Sequence, residues 1–192
     1  MQYSIENEIL RLTVDTHGAE PVSVLHKPTG AELLWQGDPA VWGRHAPILF
    51  PYTGKLTGGK MLAKGVEYAG GQHGFARDVE HTMTHHADNL LEFELHANAE
   101  TLPKWPYAFV LRSTFTLEGE TVHHTLTVEN PVEDKLCFGI GYHPAFALPA
   151  TSPRTTRSGL TASSRRSASV LSPTVCSTAR ATTWPATSRL SN

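Results

Sequence analysis

The fold is decided by the stretch FVLRSTFTLEGETVHHTLTV, residues 109–128, in which apolar and polar side chains alternate on both sides of a Glu-Gly-Glu turn. The apolar parity of the first arm is occupied by Phe109, Leu111, Phe115 and Leu117, and that of the second by Val122, His124, Leu126 and Val128. A period of two is that of a β-strand with one buried face, and a short turn joins such strands antiparallel. The stretch predicts an antiparallel hairpin.

Strand patterns extend outward from this hairpin. Residues 91–96 alternate in the same way, with Leu91, Phe93 and Leu95 on the apolar parity. Residues 2–36 form short apolar runs separated by turns such as Pro28-Thr29-Gly30, and no helix of ten residues or more is evident in the first 150. Short strands with frequent turn signals predict an all-β, antiparallel sandwich or barrel.

Charge is divided unevenly between residues 1–150 and 151–192. The first part holds all 18 acidic residues, all 11 histidines and 10 of the 16 basic residues, and therefore has a net charge of −8. The second part holds six arginines and no Lys, Asp, Glu or His. Because binding to nucleic acid requires clustered positive charge, the acidic first part argues against a nucleic-acid partner.

Cysteine content and hydropathy indicate the compartment. The two cysteines, Cys137 and Cys176, are too few for a disulfide framework and fit a reducing environment. The residues after Met1 have neither the basic flank nor the apolar run of a signal peptide, and no apolar stretch approaches the length of a membrane span. The expectation is a cytoplasmic protein with no membrane partner.

The last part of the chain has a composition of its own. Residues 151–192 contain ten Ser, nine Thr and a single aromatic residue, Trp184. Three interpretations are open: a disordered tail, an unusual extension, or the product of a shifted reading frame. Read from the third codon position, Thr codons permit Tyr, His, Asn or Asp, and TC-type Ser codons permit Phe, Leu, Ile or Val. This reading gives the tail the composition of the body, so we hypothesise that the frame is lost near Ala150, which sequencing of the DNA decides.

Two histidines with similar neighbours are the candidates for chemistry. His73 lies between Gln72 and Gly74 and His143 between Tyr142 and Pro144, each with a glycine and an aromatic residue nearby. Imidazole titrates near neutral pH and suits general acid or base work, and glycine lets the backbone approach a ligand closely. Taken singly, each histidine is better explained as a half-buried residue with one hydrogen bond. The pair alone is only suggestive.

Three segments occur in order along the chain: ILFPYTGK at 48–55, HGFARD at 73–78 and GYHPAF at 141–146. Together they resemble the aldose 1-epimerase (galactose mutarotase-like) family, in particular its LacX-like and hexose-6-phosphate mutarotase-like branch. The resemblance covers residues 2–149. It implies a galactose mutarotase-like β-sandwich that interconverts α and β anomers of a free or phosphorylated hexose without a metal or an organic cofactor. Its partner is a small-molecule sugar or sugar phosphate.

The resemblance also implies roles for individual residues. The catalytic residues are His143, which protonates the ring oxygen, and His73, which hydrogen-bonds the sugar near the same centre. The substrate-binding residues are Lys55, for sugar oxygens, and Arg77, for a phosphate or hydroxyl group. The expected organisation is the N-terminal part of the sandwich domain at 1–149 followed by an irregular tail at 150–192.

The base of the family is a glutamate near the C-terminus, and residues 151–192 contain no carboxylate. The sandwich is therefore expected to be incomplete. Turnover by this chain is expected to be weak or absent, since an acid or base contributes about 10²–10⁴-fold. Two alternatives stay open: a non-catalytic carbohydrate-binding module on the same sandwich, and a non-functional fragment of a damaged or mis-sequenced gene.

Other histidines and a cysteine are given structural interpretations. The spacing of His81, His85 and His86 would suit a metal only on a helix, so we assign them to a solvated strand or loop face and predict no metal site. His123 and His124 are adjacent within a strand and point to opposite faces, so they cannot chelate together. Cys137 is interpreted as a small buried residue on the strand leading to His143.

Overall fold

The computed structural model of the protein describes residues 1–147 and, as backbone, three later strands. The strands are β1 (Gln2–Glu6), β2 (Leu10–Asp15), β3 (Glu20–His26), β4 (Ala31–Glu32), β5 (Ile48–Leu49), β6 (Lys60–Ala63), β7 (Val66–Ala69), β8 (Thr82–Ala87), β9 (Leu90–His96), β10 (Val110–Glu118), β11 (Thr121–Glu129), β12 (Gly141–Tyr142), β13 (Arg165–Ala168), β14 (Ser177–Arg180) and β15 (Thr183–Pro185). The helical turns in the described residues are two three-residue 3-10 turns, Thr57–Gly59 and Ala76–Asp78. None of the described helical elements has the length and apolarity to cross a membrane.

Two antiparallel sheets form the sandwich. The first has the order β1-β2-β3-β4, and the second the order β15-β11-β10-β9-β8. Three two-stranded pairs, β5 with β12, β6 with β7, and β13 with β14, complete the topology of the described strands. The expectation of an all-β antiparallel sandwich is confirmed. The irregular or disordered tail expected at 150–192 falls outside the described residues, apart from the backbone of the last three strands.

The predicted hairpin consists of the two longest strands in the described part of the chain. Its two strands of nine residues pair from Val110 opposite Glu129 to Glu118 opposite Thr121, across a turn in which Gly119 has φ +55°. Burial alternates along both strands, and His124 is 2% exposed whereas His123 on the other face is half-buried. The prediction that the two adjacent histidines face opposite sides is therefore confirmed.

The core lies between the two sheets. Its cluster of buried side chains draws from both sheets, and includes Ile5, Leu10, Leu12, Val14 and Val24 of the first and Leu91, Phe93, Leu111, Phe115 and Leu126 of the second. At its edge the Tyr3 ring lies 6.2 Å from the Phe93 ring, and the Asn7 side-chain amide donates a 2.8 Å hydrogen bond to the Gly119 carbonyl. Apolar burial of this kind is the main source of folding free energy, so the alternation seen in the sequence is what joins the sheets.

The prediction for Cys137 is wrong. Cys137 is exposed, and the backbone from Val132 to Ile140 forms no strand. The alternation that marks a strand is absent from residues 131–140, where charged and turn-forming residues mix with single apolar ones. The strand that leads to His143 is β12 alone, and it is two residues long.

Candidate functional site

Three segments that are far apart in the sequence lie side by side, and we call residues 47–55, 71–78 and 139–143 the motif region. Along one side of the first segment, Phe50 pairs with Gly74 and Lys55 with Gln72 as isolated bridges. Along its other side, β5 pairs antiparallel with β12, and the His143 amide donates to the Pro47 carbonyl at 3.1 Å. The segment 47–55 is therefore the centre of the site, because it holds both histidine-bearing segments.

Gly74 permits the closest of these approaches. Its φ is +74°, and a Cβ atom built there would lie 2.1 Å from the Phe50 carbonyl oxygen. The same carbonyl accepts hydrogen bonds from the amides of Phe75, at 2.9 Å, and Ala76, at 3.2 Å. A side chain at position 74 would displace this contact, so glycine is required both for its backbone angle and for its size.

The His73 ring is fixed in one protonation state by the backbone. Its Nδ1 accepts a 2.8 Å hydrogen bond from the Gly54 amide, while its own amide donates to the Gly54 carbonyl at 2.8 Å. A nitrogen that accepts an N–H carries no proton, so the neutral ring has its proton on Nε2, which lies 3.1 Å from the Gln72 side-chain amide. Desolvation lowers the pKa of His73, and the charges of Arg77 and His143 lower it further. His73 is thus a neutral hydrogen-bond donor near pH 7.

His143 lies beside His73 and is the more open of the two. The ring centroids are 6.3 Å apart, with the planes at 52°. His143 is exposed, and the Trp42 ring lies 5.2 Å from its ring with an interplanar angle of 51°. In the described part of the chain, no hydrogen bond or ion pair joins either imidazole to a carboxylate. The structure therefore brings the two predicted catalytic residues together and leaves the His143 ring accessible.

The two predicted substrate-binding residues lie close to His73 in different ways. Lys55 is exposed, and its backbone pairs with that of Gln72 next to His73. Arg77 lies largely under the surface, with its side chain 16% exposed, and its Nη2 donates to the Gln72 carbonyl at 2.9 Å. Desolvation lowers the pKa of Arg77, and the charge of Arg44 lowers it further. Both residues remain predicted ligands, with Lys55 the more exposed of the two.

A buried carboxylate under the site was missed from the sequence. One oxygen of Glu20, at the start of β3, accepts hydrogen bonds from the amides of His45, at 2.6 Å, and Ala46, at 2.9 Å. Its other oxygen lies 3.7 Å from Nη1 of Arg44. Arg44 in turn donates to the Arg77 carbonyl at 3.1 Å and pairs with Asp78. This network holds the loop before residue 47 against the turn that carries Arg77.

The sequence held no local signal for this network. Arg44 and His45 stand immediately before the apolar segment that begins at Pro47, and Glu20 directly follows Gly18-Ala19. Charged residues beside an apolar strand are ordinarily solvated, so nothing local distinguishes a buried Glu20 from an exposed one. Trp42 was missed for the same reason, since only the fold places it against His143.

His81 corrects a further prediction, because it is buried at 3% exposure and does not face solvent. Its Nε2 lies 2.9 Å from the Ala76 carbonyl, to which it donates in the neutral state, and burial lowers its pKa to about 4. His85 and His86 are exposed on β8, as predicted. Among the described residues no group of three His, Cys, Asp or Glu side chains could hold a metal ion.

Comparison with known proteins agrees with these motifs. A family model described as Aldose 1-epimerase matches residues 1–189. The plasmid protein LacX of Lactococcus lactis subsp. lactis is 36% identical over 155 residues, which cover 78% of this chain and 52% of LacX. The chain thus spans about half the length of the curated relatives it matches.

Solved structures show the same architecture. A galactose mutarotase-like protein from Lactobacillus casei ATCC 334 is 37% identical with a TM-score of 0.71, over 78% of this chain and 52% of that one. A galactose mutarotase related enzyme from Lactobacillus acidophilus is 30% identical with a TM-score of 0.77, over 97% of this chain and 63% of that one. The sheets described above are those of the galactose mutarotase-like sandwich.

Proposed function

The chain belongs to the aldose 1-epimerase family, and from that premise we propose that it interconverts the α and β anomers of a hexose or hexose phosphate by acid–base ring opening. The observation that carries the proposal is the His73–His143 pair, whose rings lie 6.3 Å apart on the surface of the motif region. Two imidazoles at this separation can reach neighbouring oxygens of one pyranose ring. Sugar as the substrate class agrees with the printed names of the relatives, which are galactose mutarotase-like proteins.

The two rings have different roles in this proposal. His143, whose imidazole is accessible, donates a proton to the ring oxygen as the C1–O5 bond breaks. His73 keeps its Nδ1 on the Gly54 amide and donates from Nε2 to an oxygen near the anomeric carbon. Because the same proton transfers run in reverse after the aldehyde rotates, ring closure on its other face gives the other anomer. Lys55 and Arg77 contact sugar or phosphate oxygens.

The reaction also needs a base for the anomeric hydroxyl. No described carboxylate contacts either histidine, and residues 151–192 contain no Asp or Glu. We therefore propose that the 192-residue chain turns over slowly, and that residues 1–149 are part of a sandwich domain whose remaining sequence is hidden by a frame shift near Ala150. A cytoplasmic location stays a prediction from the two-cysteine content.

The proposal is tested by following the equilibration of α-glucose, α-galactose and glucose 6-phosphate by polarimetry and NMR. The 192-residue chain is compared with a chain whose reading frame after codon 150 is restored. We expect the restored chain to be faster by about 10²–10⁴-fold, the usual contribution of a general base. His143→Gln in the restored chain should lose a similar factor, while His85→Gln on the exposed face of β8 should lose nothing.

Because no carboxylate among the described residues contacts either histidine, a second candidate is also favoured, a non-catalytic carbohydrate-binding module. Sugar binding to the restored chain without any acceleration of equilibration would establish that function and overturn the enzymatic one. If the restored chain is active but His143→Gln retains its full rate, the assignment of the acid is wrong. A restored chain that neither binds nor converts any of the three sugars overturns both candidates.

A further inference from the structure

We propose that Trp42 is a stacking platform for the pyranose ring, a binding role that rests on the proposed function and adds the surface against which the sugar lies. The rings of Trp42, His143 and His73 follow one another in space, with successive centroid separations of 5.2 Å and 6.3 Å. His143 thus lies close to both an apolar indole and a hydrogen-bonding imidazole. Neither His73 nor the predicted ligands Lys55 and Arg77 supply such an apolar surface.

Backbone bonds hold Trp42 in this position. Its amide donates to the Asp38 carbonyl at 2.7 Å, and its carbonyl accepts a 2.8 Å hydrogen bond from the Trp35 indole N–H. The Asp38 carboxylate also accepts from the Ala40 amide at 2.9 Å, which closes the turn before Trp42. These hydrogen bonds involve only the main chain of Trp42. They hold the residue in place and leave its half-buried indole available for contact with a ligand.

The chemistry of a sugar matches this arrangement. A pyranose presents hydroxyl groups at its edge and a face of C–H bonds, and ligand sites combine aromatic walls with a few placed polar groups. An indole is a large apolar surface with a polar edge, which suits it to lie against such a face. With the C–H face on Trp42, the ring oxygen and the anomeric hydroxyl lie at the sugar's edge, toward His143 and His73. The platform is specific for the ring, and tolerates different hydroxyl configurations.

Stacking of this kind acts equally on the ground state and the transition state. Its loss should therefore weaken binding and raise KM, with kcat nearly unchanged. If Trp42 only positioned the His143 ring, its loss would instead lower kcat at saturating sugar. The two roles are thus separated by measuring binding and saturated rate on the same variants.

The experiment uses the 192-residue chain and saturation-transfer NMR with methyl α-glucoside and methyl β-glucoside, which cannot ring-open. Irradiation of the indole protons should saturate the C–H protons of one sugar face, and Trp42→Ala should weaken binding about five- to tenfold. Trp42→Phe should retain most of the affinity. Val41→Ala is the matched control, because Val41 is the neighbouring residue, is 74% exposed and should not affect binding.

Each other result overturns one idea. Equal affinity of Trp42→Ala and the parent, or transfer that spares the sugar C–H protons, overturns the platform while leaving the proposed function intact. In the restored chain, a lower kcat for α-glucose in Trp42→Ala without weaker binding of the glucosides assigns Trp42 to positioning His143 and also overturns the platform. Failure of the 192-residue chain to bind either glucoside overturns the platform, whereas the proposed function falls only if the restored chain also fails to bind and convert sugar. Should Trp42→Ala fail to fold, transfer in the parent and the affinity of Trp42→Phe decide the matter.

Discussion

The hairpin of β10 and β11 and the motif region are ordered by different means. The hairpin has nine consecutive paired residues on each strand and one fully buried face. The motif region has two strands of two residues each, joined to its third segment by isolated bridges and single backbone hydrogen bonds. In the hairpin each paired residue adds a similar increment of burial, whereas in the motif region a few contacts carry the whole arrangement.

The difference shows where substitutions should matter. A regular ladder shares its free energy over many residues, so the loss of one hydrogen bond or one turn residue is tolerated. A region held by single close contacts fails when one contact is removed, because few others constrain the same backbone. The site chemistry lies in the second kind of region, and the four predictions below compare the two.

Acid should have the largest effect, because one buried histidine lies in the hairpin and another packs against the motif region. Burial lowers the pKa of His81, under the motif region, to about 4 and that of His124, in the hairpin, to about 3. The unfolded chain titrates near pH 6.5 and so binds more protons below that pH. Stability should therefore fall from pH 6.5 to pH 4, by about 1.4 kcal/mol per pH unit for each histidine.

The measurement is urea unfolding at pH 7 and pH 5. His81→Gln, which keeps a side-chain donor for the Ala76 carbonyl, should reduce the pH dependence, and His85→Gln on the exposed face of β8 should leave it unchanged. An undiminished slope in His81→Gln would show that this histidine is not the buried titrating group.

Glycine substitution should separate the two regions most directly. Gly74→Ala should cost about 3–4 kcal/mol, because it combines a left-handed backbone angle with a Cβ placed against the Phe50 carbonyl. Gly119→Ala, in the hairpin turn, has a similar backbone angle and no atom within 4 Å of the new Cβ, and should cost about 1 kcal/mol. Thermal or urea unfolding of both variants measures the difference. Equal costs would mean that the close approach at Gly74 is unimportant.

Glu20 should be the next most sensitive position. Glu20→Ala removes the acceptor of two backbone amides and the charge facing Arg44, at a cost of about 2–3 kcal/mol. Glu20→Gln retains an oxygen for the two amides and should cost about 1 kcal/mol. Glu67→Ala, in an exposed pair with Lys60, should change the free energy of unfolding by less than about 0.5 kcal/mol. Equal losses for Ala and Gln would assign the effect to charge and not to the amide bonds.

The smallest effect should come from the polar pair inside the hairpin. The Ser113 hydroxyl lies 2.8 Å from Nε2 of His124, and both residues are buried. Ser113→Ala leaves that nitrogen without its partner and should cost about 1–2 kcal/mol, while Thr125→Ala on the outer face should cost less than about 0.5 kcal/mol. Urea unfolding measures both. A cost above that of Gly74→Ala would contradict the view that the hairpin distributes its stability.

Much of the fold followed from sequence alone where the pattern was regular. The turn at Gly119, the buried parity of both hairpin strands and the opposite faces of His123 and His124 are confirmed. Cys137 and His81 were misplaced because each was judged by its immediate neighbours. Residues 131–140 lack the alternation of apolar and polar side chains that marks a strand. The burial of His81 depends on its packing against the turn at Ala76.

The sequence predicted which residues form the candidate site, but not how they are arranged relative to one another. The ordered motifs supplied His73, His143, Lys55 and Arg77, and the family they indicated is confirmed. Glu20, Arg44 and Trp42 had no such signal, since each is 24 residues or more from at least one group it contacts or supports. Contacts of that separation are fixed by the packing of the sheets and leave no local period.

Sequence by itself determined the regular strands and their buried faces, because those depend on neighbours within a few residues, and the three ordered motifs supplied the two histidines. Only the tertiary structure decided that His73 keeps its proton on Nε2, since the Gly54 amide that fixes it lies 19 residues away. Only the tertiary structure placed Trp42 against His143 and Glu20 beneath Arg44. The physical reason is that alternation encodes burial locally, whereas hydrogen-bond partners and ring contacts exist only once distant segments have packed together.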